Sequence, residues 1–312
     1  MIGRTRRVAL VAASLFALSV PTMAQDATSS VAFDGIGFSF DHSLGRSVNI
    51  LRVPRQRPST VGVVEPSPAH VVFALYGRQA ESKRTPRVWD VPGTVNVYWT
   101  SALDGYELAS RQLTELQRLL SERPDPATLE ASAGLSGELP YLPIEEAAQA
   151  IAARVTYIDT PELSGVAYVT GFRQDVFPFA RGDFWYTFQG LSTDGRWYVA
   201  VDWLLDASMF PATITQADAR RVGTSASRWE RYVKRTVATL DAAEPTAFTP
   251  SLTVLDDLVR SIDFASVVAP SPSASPVPSI APSIAPSAAP TPTDAVAASA
   301  APTSSVAAST AP

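Results

Sequence analysis

Asp202 lies inside an apolar run, Tyr198-Val-Ala-Val-Asp-Trp203. A carboxylate held among aromatic rings resists ionisation, and such a group can act as a general acid or base. Alternation along this run and along Phe184–Leu191 puts Trp185, Thr187, Gln189, Tyr198, Ala200 and Asp202 on one face. Flat rings mixed with hydrogen-bonding groups are the mixture that sugar and peptide sites use. Two readings follow. The face is open to a ligand, or helices cover it and its residues form a second layer of core, with Asp202 in solvent or paired to an arginine. Asp175 and Asp183 flank the adjoining Gln174–Gly182 connection and are the neighbouring carboxylates.

Other chemistry is thin. The two histidines, His42 and His70, stand at opposite ends of an expected strand pair without a partner at metal-ligand spacing. There is no Gly-x-Ser-x-Gly elbow; Gly134-Leu-Ser-Gly137 is the nearest fragment and lacks a flanking strand. No phosphate-binding glycine loop or dinucleotide fingerprint occurs. With no cysteine in 312 residues, disulfides, thiolate nucleophiles, iron–sulfur clusters and cysteine-based zinc sites are excluded. The expectation is therefore no catalytic residues, no metal and no cofactor.

The chain ends say where such a protein works. Arg4, Arg6 and Arg7 precede the apolar run Val8–Val20, then Pro21 and Thr22-Met-Ala24, which reads as a signal peptide over 1–24 cleaved between Ala24 and Gln25. The run is too short to span a bilayer. Thr5-Arg6-Arg7-Val8-Ala9-Leu10 also resembles a twin-arginine motif, so both export routes stay open. Either way the expected location is secreted or periplasmic. Removing the three signal arginines takes the net charge from −5 to −8. An acidic chain without a Lys/Arg block lacks the footprint of a nucleic-acid binder, and no second apolar run is long enough for an integral span. An envelope protein or glycan is the expected partner. Residues 267–312 hold ten of the 26 prolines among Ala, Ser and Thr, with Asp294 as the only charge. That composition predicts a disordered tail. A single domain is expected over 25–266.

Within that domain, Ala32–Phe40, Val48–Val53, Val71–Gly77 and Thr94–Thr100 read as strands. Tyr106, Ala109, Leu113, Leu116 and Leu120 form a helical stripe that Arg123-Pro124 should end. Asp125–Gly137 reads as loop. Leu139-Pro-Tyr-Leu-Pro143 leads into an expected helix running to about Ala152, with Glu145 and Glu146 at its positive end. Arg154–Thr160, Gly165–Arg173, Phe184–Leu191 and Arg196–Leu205 read as strands, the last two joined at Asp194-Gly195. An even loop there puts Tyr186 and Phe188 on the same, core face as Val199, Val201 and Trp203. Trp229, Val233, Val237 and Leu240 mark a helix over Ser227–Ala243. A last helix follows Thr249 as N-cap and Pro250 at N1. Strands and helices come in blocks, which predicts an α+β fold: a single antiparallel sheet with about four helices.

Several segments resemble a known pattern. Leu139-Pro-Tyr-Leu-Pro143 before Glu145-Glu-Ala-Ala-Gln149 is one; Phe184-Trp-Tyr-Thr-Phe-Gln-Gly190 with Asp194-Gly-Arg-Trp-Tyr198 is another; Phe248-Thr-Pro-Ser-Leu252 with Leu255-Asp256 completes it. Together they resemble an exported bacterial family of unknown function met in Chloroflexi- and cyanobacteria-like genomes, which carries no known active site and so supplies no catalytic residues. Phe38-Ser-Phe40 and the ending Val259-Arg-Ser-Ile-Asp-Phe264 resemble, at the level of shape, PsbP-like proteins, which are mostly assembly or binding modules. The expected function is a non-catalytic binding or assembly module of the envelope or extracellular space. The alternative is a secreted hydrolase using carboxylates near the aromatic face.

Overall fold

Asp34 and Gly35 both adopt positive φ (53° and 78°), so the chain turns back on itself there. This Asp-Gly hairpin splits the expected Ala32–Phe40 strand into β1 (Thr28–Phe33) and β2 (Ile36–Asp41). In this computed structural model, residues 27–57, 65–77, 91–132 and 139–264 are described. The signal segment with Ala24 and Gln25, the Gly134–Gly137 fragment and the tail lie outside them.

The strands β3 (Ser47–Val53), β4 (His70–Tyr76) and β5 (Gly93–Trp99) form where alternation placed them. Then come α1 (Glu107–Glu122) and α2 (Pro126–Ser132). Next are β6 (Ala148–Asp159), β7 (Leu163–Arg173), β8 (Phe184–Ser192) and β9 (Trp197–Ala207). The chain finishes with α3 (Gln216–Gly223), α4 (Ala226–Ala242), β10 (Phe248–Thr249), α5 (Leu252–Arg260) and β11 (Asp263–Phe264).

The fold is α+β and its strand pairs are antiparallel, but it has two sheets rather than one. The first has the order β1-β2-β11. The second, of eight strands, runs β3-β4-β5-β9-β8-β7-β6, with β10 paired to β9. The second sheet arises because β2 pairs with β1 and β11 and never joins β3. Five α-helices are described, not four: α2 falls in the expected Asp125–Gly137 loop, and α2 and α3, of seven and eight residues, are too short to show a helical stripe.

One expected helix is absent. Gln149 to Ala153 belong to β6 and pair with β7 from Ala148↔Arg173 onward. Alanines at 148, 150, 152 and 153 suit a helix by propensity. A long partner strand overrides that preference, and Ile151, Ala152 and Ala153 are all buried in the sheet. Thr249 likewise does not cap α5. It pairs with Asp206 in β10, and Ser251 takes the N-cap position.

The large sheet is buried on both faces. One face gathers Tyr186, Phe188, Val199, Val201 and Trp203, as the hairpin register required, against Ile36, Phe38 and Phe40 of β2 and against α4 and α5. Ser261, at the end of α5, clamps this layer: its Oγ accepts from Ser39 N at 2.9 Å, and its one hydroxyl proton is placed between Ser39 O (2.8 Å) and Leu258 O (2.7 Å). The opposite face gathers Tyr98, Tyr168, Tyr198 and Ala200 under α1 and the segment around Leu139 and Leu142. Glu65 seats α1, its two oxygens accepting from Leu108 N (2.9 Å) and Ala109 N (2.8 Å) at the helix's positive end.

Candidate functional site

The aromatic face is a sealed polar layer. Thr187, Gln189 and Tyr198 are fully buried and Asp202 is 5% exposed. The strand pairing sets Thr187 opposite Asp202, and one chain of bonds follows. Thr187 Oγ1 donates to Asp202 Oδ1 at 2.9 Å, and Gln189 Nε2 donates to Thr187 Oγ1 at 2.7 Å. Tyr198 OH donates to Gln189 Oε1 at 2.7 Å. Gln189 also takes Leu142 N (3.0 Å) and donates to Leu142 O (3.2 Å), which fastens the lid segment to the sheet. Asn96 reaches Asp202 Oδ2 at 3.4 Å, and the Tyr141 hydroxyl bonds the same carboxyl. Burial pushes Asp202 up to about 7, and the bonds from Thr187, Tyr141 and Asn96 oppose that rise.

So the structure joins four of the five expected residues and leaves one out. Trp185 is half-buried, opposite Leu204, and among the described residues its ring joins none of these bonds. Asn96, Gln149, Tyr141 and Tyr168 belong to the layer but were not singled out from sequence. A polar Asn96 in the middle of the apolar run β5 was the available signal. Asp183 pairs with Arg173 at 2.5 Å, and no bond or ion pair of Asp175 occurs among the described residues. His42 bonds Ser29 (2.9 Å), while His70 bonds Pro68 O (2.8 Å) and stacks on Tyr98; among the described residues no three His, Asp or Glu side chains are grouped as metal ligands would be.

Two larger cavities lie elsewhere. The first, of about 410 Å³, is lined by Glu130, Arg154, Tyr186, Asp241 and Asp256. Burial, the largest cause in each case, raises all three carboxyls. Arg154 sits in the bulge between Ala153 and Thr156 with φ 54°. Its guanidinium donates to the carbonyls of Leu240, Asp241 and Ala243 at the end of α4 (3.2, 3.1 and 2.6 Å). Each acid also ties an element down. Glu130 accepts from Val155 N (2.8 Å), Asp241 from Arg154 N (2.7 Å) and Asp256 from Tyr186 OH (2.9 Å).

The second cavity, of about 440 Å³, opens between α3, α4 and the segments at 178–179 and 210–214. Its floor is apolar: Phe179, Phe210, Tyr232, Ile214 and two prolines. Phe179 is fully buried and stacks on Tyr232, whose hydroxyl accepts from Phe179 N at 2.6 Å. Its rim carries four arginines and one carboxylate, Asp218. Arg228, Arg231 and Arg235 recur at three and four residues along α4, so they share a face, and Arg221 joins them from α3. Arg221 stands 3.6 Å from Asp218, and Arg228 donates to Thr224 Oγ1 at 2.8 Å. Among the described residues the guanidinium groups of Arg231 and Arg235 make no salt bridge and no hydrogen bond, although the Arg235 carbonyl accepts from Thr239 Oγ1 at 2.8 Å. From Gln216 to Ala242 there are six basic and three acidic side chains, against a whole chain of net charge −5. The helical spacing of the arginines was the missed signal, because they never form a contiguous block.

No protein-family model matches the chain, and no curated protein or solved structure matches it either.

Proposed function

We propose that this is an exported, non-catalytic binding module of the cell envelope or extracellular space, with its ligand seated in the arginine-rimmed cavity. The observation that carries the reading is Arg231 and Arg235, two like charges one turn apart over an apolar floor with no ion pair among the described residues. Like charges at that spacing repel. A bound anion would relieve the repulsion, and the cavity falls within the roughly 300–1,000 Å³ of small-molecule sites.

The test is retention from the host's envelope extract by the immobilised protein, alongside an Arg231→Glu/Arg235→Glu variant, with retained molecules identified by mass spectrometry. A component held by the first and lost by the second supports the reading. Equal retention by both moves the site elsewhere. Nothing retained by either overturns the module.

A second reading, a secreted hydrolase, draws on the acid-lined cavity, where burial raises Glu130, Asp241 and Asp256. It predicts that a retained glycan or peptide shortens on incubation and that Asp256→Asn stops the shortening. Asp202 is a poor candidate for that role, since the layer over it excludes substrate.

A further inference from the structure

We infer that the arginine-rimmed cavity takes a small amphipathic anion, a compact apolar body carrying one carboxylate or phosphate head. The inference rests on the binding-module reading and names its ligand class. The floor and the rim ask for different things. Phe210, Tyr232 and Ile214, backed by the buried Phe179, offer apolar surface that releases water only to an apolar body. The guanidinium forks of Arg231 and Arg235 match planar or tetrahedral oxyanions, which they can hold bidentately. Of the other two arginines, Arg221 faces Asp218 at 3.6 Å and Arg228 gives one of its N–H donors to Thr224, which leaves Arg231 and Arg235 as the pair whose guanidinium groups have no partner among the described residues. The head is therefore assigned to Arg231 and Arg235. An inorganic anion would leave the floor wet, and a neutral apolar molecule would leave the two charges unanswered. A concave space of about 440 Å³ also favours a small molecule over a flat protein surface.

Calorimetric titration of the protein purified from its host tests this with four probes: octanoate, octyl phosphate, 1-octanol and inorganic phosphate. Octanoate or octyl phosphate should bind, and the tighter of the two identifies the head. Octanol and inorganic phosphate should bind at least about tenfold more weakly. The Arg231→Gln/Arg235→Gln variant should weaken the bound amphiphile by about tenfold or more, the loss of a charge-assisted bidentate contact, and leave octanol unchanged. Octanol equal to octanoate shows that the head contributes nothing, and inorganic phosphate equal to octyl phosphate shows the same of the body. Either result overturns the inference. So does binding that the double variant does not weaken, or no binding of either amphiphile. The retention experiment uses no probe anion, so the module reading stands or falls separately from these outcomes.

Discussion

Asp202 Oδ1 accepts a 2.9 Å hydrogen bond from Thr187 Oγ1 across the β8–β9 pair, inside a face that closes over both residues. Burial raises the folded carboxyl to about 7 from 3.8. Between those values the folded state keeps a proton that the unfolded chain has lost. Stability therefore falls as pH rises from about 4 to 7 and levels off above. The full effect is at most about 4 kcal/mol, three pKa units at roughly 1.4 kcal/mol each. Asp202→Asn should remove this part of the slope. Denaturant midpoints between pH 4 and 8 check it through the difference between wild type and variant, because Glu130, Asp241 and Asp256 add slope of the same sign to both. Parallel curves would count against the raised carboxyl.

Gln189 joins the sheet to the Leu142 segment by two bonds and to Tyr198 by a third. Gln189→Leu strands the Leu142 backbone and the Tyr198 hydroxyl in a dry layer. The expected loss is about 2–4 kcal/mol, the cost of two or more unpaired buried groups. Urea unfolding measures it, and a loss under about 0.5 kcal/mol would mean that water or a rearranged neighbour satisfies those groups.

The two faces of β8 and β9 were readable because alternation and Asp194-Gly195 fix side and register together. Phe188 and Trp203 fell inward as expected, and Gln189 and Asp202 fell on the other side. What covers that other side was not readable. Leu142 lies 47 residues from Gln189, and nothing local in either stretch announces the meeting. A different limit explains the helix expected before Ala152: the alanines of 148–153 carry a helical preference that pairing with β7, the next element along, overrides, while Glu145 and Glu146 stay outside the strand. The arginine rim escaped for a different reason: α4 shows its apolar stripe clearly, and the charged stripe beside it looks like any solvated helix face until the Phe179 floor is in view.

Gly93 stands opposite Trp203, and a Cβ at 93 would come within 2.0 Å of a Trp203 ring carbon. Gly93→Ala must shift a ring that is 1% exposed. The expected loss is about 1–3 kcal/mol, typical of an overpacked core. Adding Trp203→Phe should return part of it, and a double-mutant cycle on unfolding free energies reads the coupling. Additive losses would show that the contact does not limit stability.

Arg154 combines a left-handed backbone with three bonds to the end of α4. Both Arg154→Ala and Arg154→Gly lose the bonds and should destabilise. Glycine tolerates φ 54° and alanine does not. Arg154→Gly should therefore be the more stable of the two by about 1 kcal/mol, seen in thermal unfolding of the pair. The reverse order would mean that the bulge relaxes once the side chain is gone.

The small sheet has a mechanical consequence. β1 and β11 flank β2 and run in the same direction, with Thr28 beside Asp41 at one end and Phe264 beside Ile36 at the other. A pull applied at Thr28 and Phe264 in opposite directions runs along the strands and across their hydrogen bonds. Those bonds then share the load in shear and do not open one after another like a zipper. Ser261, gripping Ser39 through both backbone groups, adds a rivet at the same seam. A domain tethered through its two ends would be braced along the line of tension.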